Sequence, residues 1–144
     1  MKRILVGLDG SPRSDGVLTL AIGLAERYAA QLVLFRAIGV PSEMPPKVWQ
    51  DDSGSLEDRL QQSAHDYLEA ISARVPERLL GGHRTVVEIG SPWQAICSAA
   101  THEEADLIVI GSHGYGAVDR VLGSTAAKVV NHAHCSVYVV REKA

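Results

Sequence analysis

The sequence predicts an α/β fold: a doubly wound sheet of five parallel strands with helices on both faces. Three observations predict it. Five short apolar runs alternate with four helical patterns along the 144 residues, and this alternation is the mark of right-handed βαβ units. The first, second and fourth runs are almost continuous in Ile, Leu and Val, as expected of parallel strands covered on both faces. Glycines and hydroxyls follow directly on two of the runs, in Gly7-Leu8-Asp9-Gly10-Ser11-Pro12 and in Gly111-Ser112-His113-Gly114-Tyr115-Gly116. Loops of this kind at the carboxyl ends of strands are where open α/β sheets receive ligands.

The strands are expected at Arg3–Asp9, Gln31–Ile38, Thr85–Ile89, Asp106–Gly111 and Ser136–Arg141. The first helix carries Ser11 as its expected N-cap, Pro12 in its first turn and an apolar stripe of Val17, Leu20, Leu24 and Tyr28. The second runs from about Ser55 to Val75 with Leu56, Leu60, Ala64, Leu68, Ile71 and Val75 on one face. The third opens on Ser91-Pro92-Trp93-Gln94, a capping box with proline at the first helical position. The fourth follows the glycine loop as the helical pattern Ala126 to Asn131 and ends near Asn131–His134. Between the second strand and second helix, Val40 to Gly54 holds Pro41, Pro45, Pro46 and the pair Asp51-Asp52 and fits no element. A loop of that length is either functional or a surface excursion. Trp49 accordingly either covers a bound base or tucks against a neighbouring helix.

Composition narrows the function. The chain is 46% hydrophobic and 22% charged, with net charge −3 and pI ≈ 6.0. No broad basic field is present to attract nucleic acid or an anionic membrane. Aromatic residues make up 5%, too few for base-stacking platforms. No apolar run approaches the roughly 20 residues that span a bilayer, and the N-terminal run is too short for a secretory signal. The expectation is one domain over residues 1–144, cytoplasmic, with Cys97 and Cys135 as apolar filler rather than a disulfide or metal pair.

The chemistry points to a nucleotide. Glycine lets a backbone approach a polyphosphate closely, and the N–H groups at a helix start are donors for negative charge. Gly111 to Gly116 and then Gly123-Ser124-Thr125 supply both, with two hydroxyls added. A P-loop sequence is absent, and the dinucleotide fingerprint does not follow the first strand. Gly10 is expected at positive φ. Asp9 has two readings: a hydrogen bond to ribose or to a Mg²⁺-bearing phosphate, or local bonds to backbone N–H groups at the turn. His113 likewise either reaches a phosphate or ribose or points inward to fix its loop. Asp119 and Arg120 stand near the phosphate region, on what is otherwise a solvated helix face. His132 and His134 form an H-x-H pair without a third ligand at fixed spacing, so a solvated helix end is expected rather than a metal site. No nucleophile, base and orienter group together, so no catalytic residue is assigned.

Taken together, Val6-Gly7-Leu8-Asp9-Gly10-Ser11, the run from Ala105 to Gly114, Leu122-Gly123-Ser124 and the stretch His134 to Val140 resemble the universal stress protein family over essentially the whole chain. The resemblance implies a sheet order of 3-2-1-4-5. ATP-binding members carry G-x2-G-x9-G-[ST]; here Gly111-x2-Gly114 is followed by Gly123-Ser124 after eight residues, one short of the pattern. The resemblance further implies that Leu8 and Asp9 line the adenosine site and that Ala37 offers backbone to the adenine. Ile110, Gly111 and Gly114 would border the ribose and phosphates, and Gly123, Ser124 and Thr125 would grip the phosphates; Ser112 and His113, inside the glycine loop, are counted with the same nucleotide-binding residues. ATP, with or without Mg²⁺, is the expected ligand. A homodimer through Val137–Val140 and a role as a nucleotide-responsive regulator in stress tolerance are implied as well. A non-nucleotide interaction module of the same fold and a slow ATPase are the competing readings.

Overall fold

A computed structural model describes residues 1–39, 50–51, 54–113 and 121–141. Five strands, β1 (Arg3–Gly7), β2 (Gln31–Ile38), β3 (His83–Ile89), β4 (Leu107–Gly111) and β5 (Ser136–Val140), form one sheet. Four helices alternate with them: α1 (Ser14–Tyr28), α2 (Leu56–Ser72), α3 (Pro92–His102) and α4 (Ser124–His132). A two-residue antiparallel pair, Gln50–Asp51 with Gly54–Ser55, precedes α2.

All four strand pairings of the sheet are parallel, in the order β3-β2-β1-β4-β5. The chain winds outward from β1 through β2 to β3, then returns to place β4 on the other side of β1, with Leu5 opposite Ile108. Because each crossover is right-handed, this reversal sends α1 and α2 to one face and α3 and α4 to the other. Side chains alternate accordingly, as the two-residue period of a strand requires. Ile4, Val6, Leu32, Leu34, Leu107 and Val109 pack with Val17, Leu18, Ala21 and Leu68 from α1 and α2. Leu5, Val33, Phe35, Ile108 and Ile110 pack with Ile96, Ala99, Ala126 and Val129 from α3 and α4.

The predicted strands are all present: Gln31–Ile38 is unchanged, and each of the other four has one end moved by one or two residues. The helix punctuation is where the local reading fails. The residue capping α1 is Arg13, not Ser11, and no side chain makes the cap bond; the Ser11 carbonyl accepts the Ser14 N–H at 3.0 Å. The buried face of α1 is Val17, Leu18, Ala21 and Ala25, with Leu20 and Leu24 only partly covered and Tyr28 49% exposed. The stripe that meets β1, β2 and β4 is thus offset by about one residue from the pattern read from spacing. At α3, Ser91 caps the helix with Pro92 in the first turn, but the side-chain hydrogen bond of a capping box is not made. The helix α2 ends at Ser72, and Val75 is buried in the turn that follows. The Val40–Gly54 loop, including Trp49, lies largely outside the described residues.

Asp106, just ahead of β4, ties the amino end of the sheet together. Its Oδ2 accepts the Lys2 N–H at 2.6 Å and the Arg3 N–H at 3.0 Å. These backbone N–H bonds hold the carboxyl below its ordinary range. A depressed folded-state value means that the stabilisation is complete above the unfolded carboxylate value of about 4 and is lost as pH falls through the lower folded value. In thermal melts, Asp106→Asn should therefore be less stable than the natural protein at pH 7, with the gap closing below about pH 4. A gap that stays constant across this range would show that the charge on Asp106 contributes nothing.

Candidate functional site

The order β2-β1-β4 places three strand tips side by side, and a cavity of about 370 Å³ opens beyond them. This falls within the roughly 300–1,000 Å³ of small-molecule sites. From β1 and its loop come Gly7, Leu8 and Asp9; from β2, Phe35, Arg36 and Ala37; from β4, Ile110, Gly111, Ser112 and His113. The starts of three helices also line it: Arg13 and Ser14 of α1, Pro92 of α3, and Gly123, Ser124 and Thr125 of α4. Parallel βαβ units make this convergence unavoidable, since every helix begins at the carboxyl end of the strand before it. Each helix start contributes unpaired N–H groups and about half a positive charge.

Of the residues singled out from sequence, Leu8, Asp9, Ala37, Ile110, Gly111, Ser112, His113, Gly123, Ser124 and Thr125 all border this cavity. Gly114 lies outside the described residues, as do Asp119 and Arg120. Proximity does not make every one of them available. Asp9 Oδ1 accepts the Ser11 N–H at 2.8 Å and the Ser14 hydroxyl at 3.1 Å, closing a turn in which Gly10 has φ +77°. Its local role is thus filled, as the second of its two readings held. Gly10 has a further reason to lack a side chain: a Cβ there would meet the Arg36 guanidinium at 2.7 Å.

His113 also takes the inward reading. It is 8% exposed, Nδ1 lies 3.1 Å from Ser112 Oγ, and Nε2 bonds to the Val121 carbonyl. A carbonyl only accepts, so Nε2 carries the proton, which leaves Nδ1 of a neutral ring to accept from the hydroxyl. The ring therefore clamps the end of β4 to the chain entering α4, the inward one of its two readings. Gly123 completes the clamp. Its N–H donates to Ser112 O at 2.8 Å, and a Cβ at that position would stand 3.2 Å from the same oxygen and 3.5 Å from the His113 ring.

The sequence reading missed two cations in the lining, Arg13 and Arg36. Arg36 packs its guanidinium 4.6 Å above the Tyr67 ring of α2, a favourable cation–π arrangement. The available signal was a charge near the carboxyl end of the otherwise apolar run Leu32-Val33-Leu34-Phe35-Arg36-Ala37-Ile38. Arg13 had no such signal, because a charged residue near a helix start is ordinary. Ser11, expected as a cap, is buried beside the cavity, and its hydroxyl oxygen has no hydrogen-bond partner among the described residues. Asp9 is the only carboxylate in the described lining, against Arg13 and Arg36, so that lining carries a net positive charge.

The other histidines sit elsewhere. The His132 ring rests 4.8 Å from that of Trp93, and His134 Nδ1 lies 3.2 Å from Thr101 Oγ1. Among the described residues no cluster of His, Cys, Asp and Glu could hold a metal ion. Cys97 and Cys135 are free thiols packed at the edge of the α3–α4 core, and burial pushes both thiol values up. No described helix is long and apolar enough to cross a membrane.

Comparison with known proteins agrees with this geometry. A protein of Staphylococcus aureus (strain USA300) named as a universal stress protein is 30% identical over 142 residues, spanning 97% of this chain and 84% of that protein. The structure of universal stress protein UspA from Lactobacillus plantarum superposes with a TM-score of 0.80 at 29% identity, covering 97% of each chain. A crystal structure of a universal stress protein in complex with cAMP superposes with a TM-score of 0.62 at 25% identity, covering 96% of each. The model of the universal stress protein family matches residues 1–141, and the chain belongs to that family.

Proposed function

We propose that this protein binds an adenine nucleotide, ATP, in the cavity at the tips of β1, β2 and β4, and that occupancy regulates its association with partners in stress tolerance. The observation that carries the reading is the convergence of three helix starts and two guanidinium groups on one cavity with a single described carboxylate. Such a site selects an anion, and fixed N–H donors suit phosphate oxygens. The orphaned Ser11 hydroxyl at its border also fits a polar ligand. The solved cAMP complex of a related protein supports an adenine nucleotide as the class.

In this reading Leu8 and Asp9 side the adenosine, and the Ala37 backbone meets the adenine. Gly111, Ser112, Gly123, Ser124 and Thr125 hold the phosphates. His113 supports them from behind by fixing where α4 begins. Mg²⁺ would arrive on the phosphates and keep several waters, as it prefers to, and Asp9 is already committed to its turn. Hydrolysis would need a base for water, and both ring nitrogens of His113 are engaged by its loop; we propose binding rather than turnover as the activity. The β5 strand is an edge of the sheet, and Tyr138 on it is 45% exposed. Pairing of Val137–Val140 with a second copy would cover that edge and offer a surface through which occupancy is communicated.

The test is direct. The purified protein should release adenine nucleotide on denaturation, read by mass spectrometry, or bind added ATP in calorimetry. Gly123→Val should weaken ATP by about tenfold to a hundredfold, because its methyl groups press on Ser112 and His113 and fill the start of α4. A far-ultraviolet spectrum unchanged from the natural protein would locate the loss at the site. If the natural protein shows no affinity for ATP or AMP at millimolar concentration, the proposal is wrong.

A further inference from the structure

We propose that Arg13 makes this pocket discriminate nucleotides by phosphate number, favouring tri- and diphosphates over monophosphates and cyclic forms. The inference rests on the nucleotide reading above and deepens it, since that reading names ATP without a residue that sets it above AMP.

The two arginines of the lining are not equivalent. Arg36 leaves β2, stands over Gly10 and is held against Tyr67. With strands about 4.8 Å apart, the tip of β2 lies two spacings from that of β4, at the end assigned to the base and ribose. Arg13 is at the other end. A Cβ on Gly111 would meet Val17 Cγ2 at 3.5 Å and Arg13 Cβ at 4.0 Å, so the stem of Arg13 rises directly beside the tip of β4. As the N-cap of α1, with φ −71° and ψ −19°, it precedes the helix whose start lines the cavity.

Across the same strand tip, Ser112 O receives the Gly123 N–H and sets the position of the first turn of α4. Phosphates over Gly111 would therefore lie between a helix start on one side and the stem of Arg13 on the other, within reach of its guanidinium. One phosphate is satisfied by the helix start. Each added phosphate brings further negative charge and more acceptor oxygens, and the planar fork of arginine pairs two of them at once. A cyclic phosphate, esterified twice, has fewer charged oxygens to offer that fork.

Calorimetric titration of the natural protein, Arg13→Gln, Arg13→Lys and Arg78→Gln with ATP, ADP and AMP at constant ionic strength tests this. Arg78 pairs with Glu26 on the far half of α1, so its variant makes the same change in net charge away from the pocket. Arg13→Gln should lower the ATP-to-AMP affinity ratio by about tenfold, with AMP affinity retained. Arg13→Lys should restore part of the ratio, and Arg78→Gln should leave it unchanged. An equal loss for ATP and AMP, or no loss, overturns the role of Arg13 while nucleotide binding stands. Failure of the natural protein to bind any of the three overturns the nucleotide reading and this assignment together. Matching melting temperatures exclude misfolding as the cause.

Discussion

Phe35→Ala should destabilise the protein by about 3–5 kcal/mol, the range for deleting a buried aromatic ring. Phe35 is 1% exposed and sits at the centre of the α3–α4 face, packed in one cluster with Leu5, Val33, Ile96, Ile108 and Ile110. Its carbonyl accepts the Leu8 N–H at 2.9 Å, where β1 passes into the Asp9 turn. Phe35 is also among the residues lining the ligand cavity. At roughly 2–4 °C per kcal/mol for a chain of this size, the melting temperature should fall on the order of 10 °C. Phe35→Leu keeps most of the volume and should cost less than about 1.5 kcal/mol. Equal melting temperatures for the alanine and leucine variants would remove Phe35 from the core so described.

Gly81→Ala should also be strongly destabilising, by about 3 kcal/mol or more, although it adds one methyl group on a surface turn. A Cβ on Gly81 would lie 2.4 Å from both the carbonyl carbon and oxygen of Ala30 and 2.6 Å from Gln31 N. All three are backbone atoms, so no side chain can swing aside. Relief must come from moving the start of β2, where Gln31 N–H donates to Lys2 O and Leu32 N–H to Gly82 O. Gly23 provides the contrast. It lies within α1, and a Cβ there meets nothing within 4 Å. Gly23→Ala should stabilise by about 0.5–1 kcal/mol through helix propensity alone. Comparable melts for the two alanine variants would show that the Gly81 contact is not tight.

The contrast between these glycines marks what a one-dimensional reading reaches. Gly10 was legible because an Asp-Gly-Ser step after a strand calls for positive φ. Gly81 was not, because its neighbour Ala30 is fifty-one positions earlier and meets it only when β3 pairs with β2. Helix α1 shows the same limit: the hydroxyl of Ser11 is a good local cap, yet the helix takes Arg13 as its cap and Asp9 holds the turn through Ser11 and Ser14. For His113 and Asp9 the residues were found, but the loop bonds they make were not legible, because their partners Val121 and Ser14 do not stand out in sequence.

By itself, the sequence determined the alternation of strand and helix, the two faces of each strand and the concentration of glycines and hydroxyls after β1 and β4. These are local properties, set by side-chain period and backbone freedom within a few residues. Only the tertiary structure decided which helix starts and which arginines share the cavity. That choice depends on strand order and crossover hand, which add contacts between residues many tens of positions apart. Arg13, Arg36 and Pro92 therefore enter the site through packing, while Gly111 and Gly123 enter it through pattern.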